Sequence, residues 1–151
     1  MNGLEAIRHS LVFLLLIAAS GTDIRQRRIP NWLTGIGWVL GILFFMAEWS
    51  LRGKEAGISQ CMHLVGVAAL VLGLALFAAI SHHGFGFGDV KLLGAVAVCL
   101  GTDRTLACSF YGLLMAVNMS LVFLWTGRRK PVQRIPLAPF FLLGYGVTFL
   151  V

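Results

Sequence analysis

The sequence contains very little charge for its length. Only 12% of its 151 residues are Asp, Glu, Lys or Arg, six of them are acidic, and 58% are hydrophobic, with a mean hydropathy of +0.87. A soluble domain of this size does not carry so large an apolar fraction. The scarcity of charge therefore excludes a soluble globular protein and predicts an integral membrane protein. The net charge of +6 does not indicate nucleic-acid binding, because the cations lie in short segments between apolar runs.

Cysteine is also scarce. The three cysteines, Cys61, Cys99 and Cys108, are scattered along the chain and form no C-x-x-C pair. This spacing excludes a zinc ribbon and gives no sign of a disulfide framework. We interpret the three as small apolar residues within helices, and we expect neither a metal nor a cofactor.

Long apolar runs are what the sequence does have. They cover residues 9–22, 32–51, 58–81, 92–102, 105–126 and 135–151. In lipid a helix satisfies its own backbone groups, and one span takes about 20 residues. We therefore predict an all-α polytopic membrane protein with about six transmembrane helices, forming a single integral-membrane domain over residues 1–151.

Two aspartates abut the two shortest runs. Asp23 follows the run 9–22, and Asp89 precedes the run 92–102. Both runs are shorter than the roughly 20 residues that a span requires. If the helices continue through the aspartates, both carboxylates lie at or below the membrane surface.

The distribution of cations predicts the sidedness. Segments 23–31, 82–91 and 127–134 hold eight Lys and Arg residues, whereas the N-terminus and the segments on the opposite side hold four. The positive-inside rule places the first set in the cytoplasm and both termini outside. Asp23 and Asp89 then share the cytoplasmic side. An alternative is that the start of the chain is a cleaved signal peptide, which would leave Asp23 near a free N-terminus.

Two carboxylates on one side of a membrane suggest acid–base chemistry. If they approach closely they share a proton, so that one can deprotonate a water while the other protonates a scissile carbonyl. This is the chemistry of an aspartic protease. The alternative is that each acid pairs with a neighbouring cation, Asp23 with the arginines of 23–31 and Asp89 with Lys91.

Glycines lead into the second aspartate in GFGFGDVK, residues 84–91. Gly84, Gly86 and Gly88 lack Cβ, so they allow backbone conformations closed to other residues and permit a peptide strand to approach closely. The alternative is a flexible turn between the third and fourth helices, which glycine would serve equally well. His82 and His83 precede them and are interpreted as interfacial residues.

The segment after the first aspartate, DIRQRRIPN (23–31), predicts a break between two helices. Pro30 biases Ile29 away from helical conformation. Asn31 is expected to cap a helix that begins at Trp32.

Three stretches in this order resemble the type IV prepilin peptidases, which are membrane aspartic proteases of the GxGD kind. They are the aspartate with R-R-I-P-N, the later G-F-G-D-V-K, and RIPLAPFFLLG at 134–144. The resemblance implies that Asp23 and Asp89 are the catalytic pair. The residues that it implies shape the site or bind substrate are Gly86, Gly88, Lys91, Ile29, Pro30 and Asn31.

The resemblance also implies a substrate and a location. The substrate would be a prepilin or pseudopilin, cleaved at the cytoplasmic face of the bacterial inner membrane, with lipid around the helices. Only nine residues, 23–31, join the first two runs, and none is cysteine. The chain therefore resembles the short, peptidase-only branch associated with tight-adherence pili, and N-methyltransferase activity is not expected.

Two other functions are compatible with paired acids in a membrane. One is a small proton-coupled transporter, and the other is a non-catalytic subunit of a pilus or secretion assembly. Two further acids are interpreted as peripheral. Asp103 is expected to pair with Arg104 in an outer loop, and Glu48 is expected near the outer end of the second helix.

Overall fold

The computed structural model describes residues 3–52, 57–80, 86–126 and 136–150, and within them it contains six α-helices and no strand. The predicted all-α class is confirmed. Gly84, the two histidines before it and the cations of 127–134 lie outside the described residues. The helices, in chain order, are α1 (Gly3–Gln26), α2 (Asn31–Arg52), α3 (Gly57–Ile80), α4 (Phe87–Leu100), α5 (Thr102–Trp125) and α6 (Ala138–Leu150).

Four of the six helices are long and apolar enough to cross a membrane. The qualifying stretches are Glu5–Gln26 in α1, Asn31–Ser50 in α2, Cys61–Ile80 in α3 and Thr102–Phe123 in α5. Helix α6 is apolar but shorter, and α4 has 14 residues, or about 21 Å at 1.5 Å per residue. The chain is therefore a multi-pass membrane protein. Both short runs that abut the aspartates belong to longer helices, because α1 continues past Asp23 and α4 begins before Asp89.

Helix α4 occupies the centre of the bundle. Val90 and every residue from Leu92 to Leu100 are buried, and α4 packs on α1, α2, α3 and α5. A helix that is apolar on all sides is stable only where all sides are covered. Because protein encloses α4, it does not need the full length of a lipid-exposed span.

A single glycine joins α4 to α5. Gly101 has φ +92°, its N–H donates to the Ala97 carbonyl at 2.9 Å, and its carbonyl accepts the Thr105 N–H at 3.2 Å. L-residues rarely adopt this conformation. Glycine thus allows the chain to leave one helix and enter the next within one residue.

The expectation that Asp103 lies in a loop is wrong. Asp103 lies in the first turn of α5, where the positive end of the helix dipole favours a carboxylate. The predicted ion pair with Arg104 is not formed among the described residues. The Arg104 guanidinium instead hydrogen-bonds to the imidazole of His9 on α1.

Polar contacts join the helix ends far from the aspartates. Arg8 of α1 forms an ion pair with Glu48 of α2 at 3.3 Å, and His9 hydrogen-bonds to the hydroxyl of Tyr145 on α6 at 2.8 Å. Buried polar groups need such partners because unpaired ones lose their hydration. These contacts place the N-terminal end of α1 beside the C-terminal end of α2, so the two helices are antiparallel.

Helices α5 and α6 approach closely at two glycines. A Cβ on Gly144 would lie 2.7 Å from the backbone nitrogen of Gly112, and nearer still to the Cys108 carbonyl. The Cys108 thiol also donates to the Phe141 carbonyl at 3.2 Å. Small residues of this kind let membrane helices pack backbone to backbone.

Gly144→Ala is expected to destabilise the protein by about 1–3 kcal/mol, because its new methyl overlaps the α5 backbone. Gly146→Ala is the matched control, since nothing lies within 4 Å of a Cβ at Gly146. It should leave stability unchanged or raise it by up to about 1 kcal/mol. Unfolding of the purified variants in detergent measures both, and equal stabilities would contradict the packing described.

Candidate active site

Asp23 lies near the end of α1 and is held by the start of α6. Its side chain is only 7% exposed, and Oδ2 accepts a hydrogen bond from the N–H of Ala138, the first residue of α6, at 3.1 Å. The first N–H groups of a helix have no partner within the helix, and they lie at the positive end of its dipole. The N-terminus of α6 therefore favours a negative charge on Asp23. Sequence reasoning missed this backbone contact. The available signal was P-L-A-P (136–139), near the start of the last apolar run.

The chain leaves α1 at Arg27, four residues after Asp23. Arg27 has φ +51°, and its N–H donates to the Asp23 carbonyl at 2.8 Å, which closes α1 with a left-handed residue. A left-handed conformation costs a non-glycine residue about 1–2 kcal/mol. The Pro30 carbonyl then accepts the Leu33 N–H at 3.1 Å, so α2 begins directly after Pro30. The predicted break between the two helices is confirmed.

Asp89 lies in the first turn of α4. Its Oδ2 accepts a hydrogen bond from the N–H of Gly86, the residue before the helix, at 3.3 Å. Gly86 has φ −85° and ψ 142°, which any residue can adopt. Gly86 therefore does not use the conformational freedom that glycine allows. Its role is spatial, since a Cβ at Gly86 would lie 3.2 Å from Oδ2 of Asp89.

Gly88 brings the loop after α1 against the start of α4. A Cβ at Gly88 would lie 3.5 Å from Cβ of Ile29, an ordinary van der Waals separation. Ile29 is half-buried and packs against the core cluster of the bundle. The loop that follows Asp23 therefore lies beside the turn that carries Asp89.

Lys91 links α4 to the start of α2. Its Nζ donates to Oδ1 of Asn31 at 3.1 Å, and its backbone carbonyl accepts Nε1–H of Trp38 at 3.1 Å. The prediction that Asn31 caps a helix beginning at Trp32 is wrong, because Asn31 is the first residue of α2 and its side-chain oxygen binds Lys91. Sequence reasoning did not identify Trp38 as a neighbour of the site, because a tryptophan within an apolar run does not indicate which residues it contacts.

The two carboxylates interact electrostatically. The pKa of Asp89 is raised to about 6. The larger cause is burial, and the second is the negative charge of Asp23. The hydrogen bond from the Gly86 N–H lowers the pKa and so opposes both. Neither acid has a cation within ion-pair distance in the described part of the chain, where the ion pair is Arg8–Glu48. Among the described residues, Lys91 therefore does not form the ion pair with Asp89 that the alternative requires.

The site consists of two carboxylates, Asp23 beside the N-terminus of α6 and Asp89 in the first turn of α4. Within the described ranges, no group of three or more His, Cys, Asp and Glu residues could hold a metal ion. Such an arrangement can take a proton from one group and deliver one to another. The fold and the site define a multi-pass membrane protein with a carboxylate pair at one end of its bundle.

Comparison with known proteins identifies the family. The model of the type IV leader peptidase family matches residues 10–125, and the chain belongs to that family. It is 32% identical, over 143 residues, to a prepilin leader peptidase/N-methyltransferase of Bacillus subtilis (strain 168), covering 93% of this chain and 54% of that protein. A Xanthomonas campestris protein of the same name is 27% identical over 135 residues, covering 89% of this chain and 46% of the relative.

The chain thus spans about half the length of the relatives that it matches. No solved structure matches it significantly.

The two glycines before Asp89 make a matched pair of variants. Gly86→Ala is expected to lower activity by about tenfold or more, because its methyl displaces the Asp89 carboxylate, and small misplacements of catalytic groups are costly. Gly88→Ala should have a smaller effect, since its methyl meets Ile29 at an ordinary distance. Initial cleavage rates at equal amounts of folded protein test this, and a greater loss in Gly88→Ala would contradict it.

Proposed function

We propose that this protein is a membrane aspartic endopeptidase that removes the leader peptide from a prepilin or pseudopilin. The observation that carries the proposal is the electrostatic interaction of Asp23 with Asp89 at one end of the bundle. Membership of the type IV leader peptidase family supports it. The relatives named prepilin leader peptidase/N-methyltransferase indicate the substrate class. Neither the family nor these relatives support a transporter or a non-catalytic assembly subunit.

The surroundings of the two acids suggest their roles. Asp23, whose Oδ2 is held by the N–H of Ala138 at the start of α6, acts as the base, because Asp89 holds the proton that the pair shares. Asp89 has a raised pKa, so it holds the shared proton and acts as the acid. Interacting carboxylates titrate as a pair, and these roles describe the singly protonated state of that pair.

Peptide hydrolysis then proceeds in two steps. Asp23 takes a proton from a water whose oxygen attacks the scissile carbonyl carbon, while Asp89 gives its proton to the carbonyl oxygen. The tetrahedral intermediate collapses when the peptide nitrogen takes the proton from Asp23 and leaves as an amine. Asp89 recovers a proton from the intermediate as the carboxylic acid forms, which restores the original state of the pair.

The neighbouring residues position this pair and the substrate. Gly86 leaves room for the Asp89 carboxylate, and Gly88 with Ile29 holds the two acid-bearing segments together. Pro30 starts α2, where Asn31 is joined to Lys91 across the site. We propose that these residues shape the cleft and do not exchange protons with the substrate.

The proposed orientation in the inner membrane places this site on the cytoplasmic side and both termini outside. Arg25, Arg27 and Arg28 are exposed at the end of the bundle that carries Asp23, as expected for a cytoplasmic surface. Trp32, at the start of α2, is 64% exposed, and Trp125, at the end of α5, is 96% exposed. Tryptophans at these positions suit a membrane–water interface.

Asp23→Asn and Asp89→Asn are each expected to reduce prepilin cleavage by about a thousandfold or more, because each removes one half of the proton exchange. Both variants should remain folded in the membrane, since Asn keeps an oxygen that can accept the same hydrogen bond. Asp103→Asn is the control and should cleave normally. Pilin size on a gel after co-expression gives the result. Normal processing by either single variant would refute the pair.

The cleavage rate is expected to fall as pH rises above about 6. Below that pH the raised pKa keeps a proton on Asp89, and above it Asp89 ionises and the acid is lost. Initial rates with purified enzyme between pH 5 and 9 test this, with re-assay at pH 6 to exclude denaturation. A rate that increases steadily to pH 9 would contradict the assignment of Asp89 as the acid.

A further inference from the structure

An apolar groove lies between α2 and α3 and has α4 as its floor. Both helices pack on α4, yet in the described part of the chain they barely contact one another. The space between them has a volume of about 500 Å³ and opens to the side of the bundle. Ten apolar residues line this α2–α3 groove: Trp38, Ile42, Phe45, Leu64, Val67, Ala68, Val71, Leu72, Ala75 and Val98.

The lining residues form one stripe on each wall. On α2 they recur at intervals of four and three residues, and on α3 they follow the same helical spacing from Leu64 to Ala75. Each wall therefore presents a single helix face to the groove. Ala68 is small and exposed, so the α3 wall can be approached closely. Two facing apolar stripes of this spacing form the kind of surface onto which a third helix packs.

One end of the groove lies towards the candidate active site. There Trp38 links the groove lining to the site, because its indole N–H donates to the carbonyl of Lys91, two residues after Asp89. Along α4 the groove reaches Val98, nine residues after Asp89, or about 14 Å at 1.5 Å per residue. At that far end the ring of Phe45 stacks on His63 of α3, with centroids 6.3 Å apart. The groove thus runs along α4 away from the end that carries Asp89, and α2 and α3 contact each other at its far end.

We propose that the α2–α3 groove docks the transmembrane helix of the protein substrate, immediately beyond the bond that is cut. The inference rests on the proposed function, because it requires that Asp23 and Asp89 cleave a polypeptide. A substrate segment that leaves the site towards the bilayer must be helical, since lipid offers no partners to its backbone. Its apolar side chains fill the groove, and its cytoplasmic end is held beside Asp89.

The continuity of the groove with the site favours a substrate helix over a lipid chain. An acyl chain makes no favourable contact with a carboxylate pair. A docked substrate helix, in contrast, fixes the position of the peptide bond that precedes it and that is to be cut. Fixing that position lowers the barrier to attack by water. The groove then selects substrates by an apolar helix, and the cleavage site is chosen by its distance from that helix.

Filling the groove tests the proposal. Ala68→Phe places a ring in the groove, and Ala69→Phe is the matched control, because Ala69 is exposed on the same helix but is not a lining residue. Two substrates are compared: a full-length prepilin, and a short peptide that spans the cut and lacks the apolar segment. Ala68→Phe should raise KM for the full-length prepilin by about tenfold or more and leave cleavage of the peptide unchanged. Ala69→Phe should change neither.

Two kinetic outcomes would overturn the groove assignment. One is cleavage of both substrates by Ala68→Phe at the wild-type rate. The other is an equal loss on both, which would mean that the substitution acts on the carboxylates and not on a docked segment.

Photo-crosslinking tests docking independently of cleavage. A photoreactive phenylalanine at Leu72, which lines the groove, should form adducts with the apolar segment of the full-length prepilin. The same residue at Leu76, which is exposed but is not a lining residue, should not. Adducts at Leu72 with phospholipid alone would identify an acyl-chain groove and overturn the proposal.

The two measurements separate the two hypotheses. Prepilin adducts at Leu72 without cleavage by the wild type would support docking and refute the peptidase. Cleavage of the prepilin without adducts at Leu72 would support the peptidase and refute docking in the α2–α3 groove.

Discussion

The burial of α4 on all sides is the constraint on which the rest of the structure depends. Its residues from Leu92 to Leu100 have no exposed face, so four other helices must surround it. This enclosure places Asp89, in its first turn, next to the ends of the neighbouring helices. It also makes α4 the floor between α2 and α3. The site and the groove are therefore two consequences of the same packing.

The start of α6 gives the bundle its second fixed point. By donating the Ala138 N–H to Asp23, the last helix uses a backbone group that would otherwise lack a partner. A buried carboxylate needs such a donor, because it has lost the hydrogen bonds of water. One contact thus completes a helix terminus and stabilises the acid that we propose as the base. Both acids therefore lie at helix N-termini, Asp23 beside that of α6 and Asp89 in the first turn of α4.

Glycine acts in this protein mainly by leaving space. Among the described glycines only Gly101 has a positive φ, and it permits the one-residue turn into α5. Gly94 shows the other use, since a Cβ there would lie 2.7 Å from the Trp38 ring and 3.0 Å from Val71. Without a side chain at this position, α2 and α3 can both approach α4. The glycines near the carboxylates follow the same principle, which a glycine-rich sequence alone does not distinguish from conformational freedom.

The sequence by itself determined the class of the protein, its helices and its pair of acids. Apolar runs in lipid leave the backbone few alternatives to helix, and the scarcity of acids made Asp23 and Asp89 conspicuous. Only the tertiary structure decided the partners: Asn31 binds Lys91 and does not cap α2, Arg104 binds His9, and the start of α6 reaches Asp23. It also revealed the α2–α3 groove. The reason is physical, because local periodicity sets which residues share a helix face. Which faces meet depends on packing between segments that are distant in sequence.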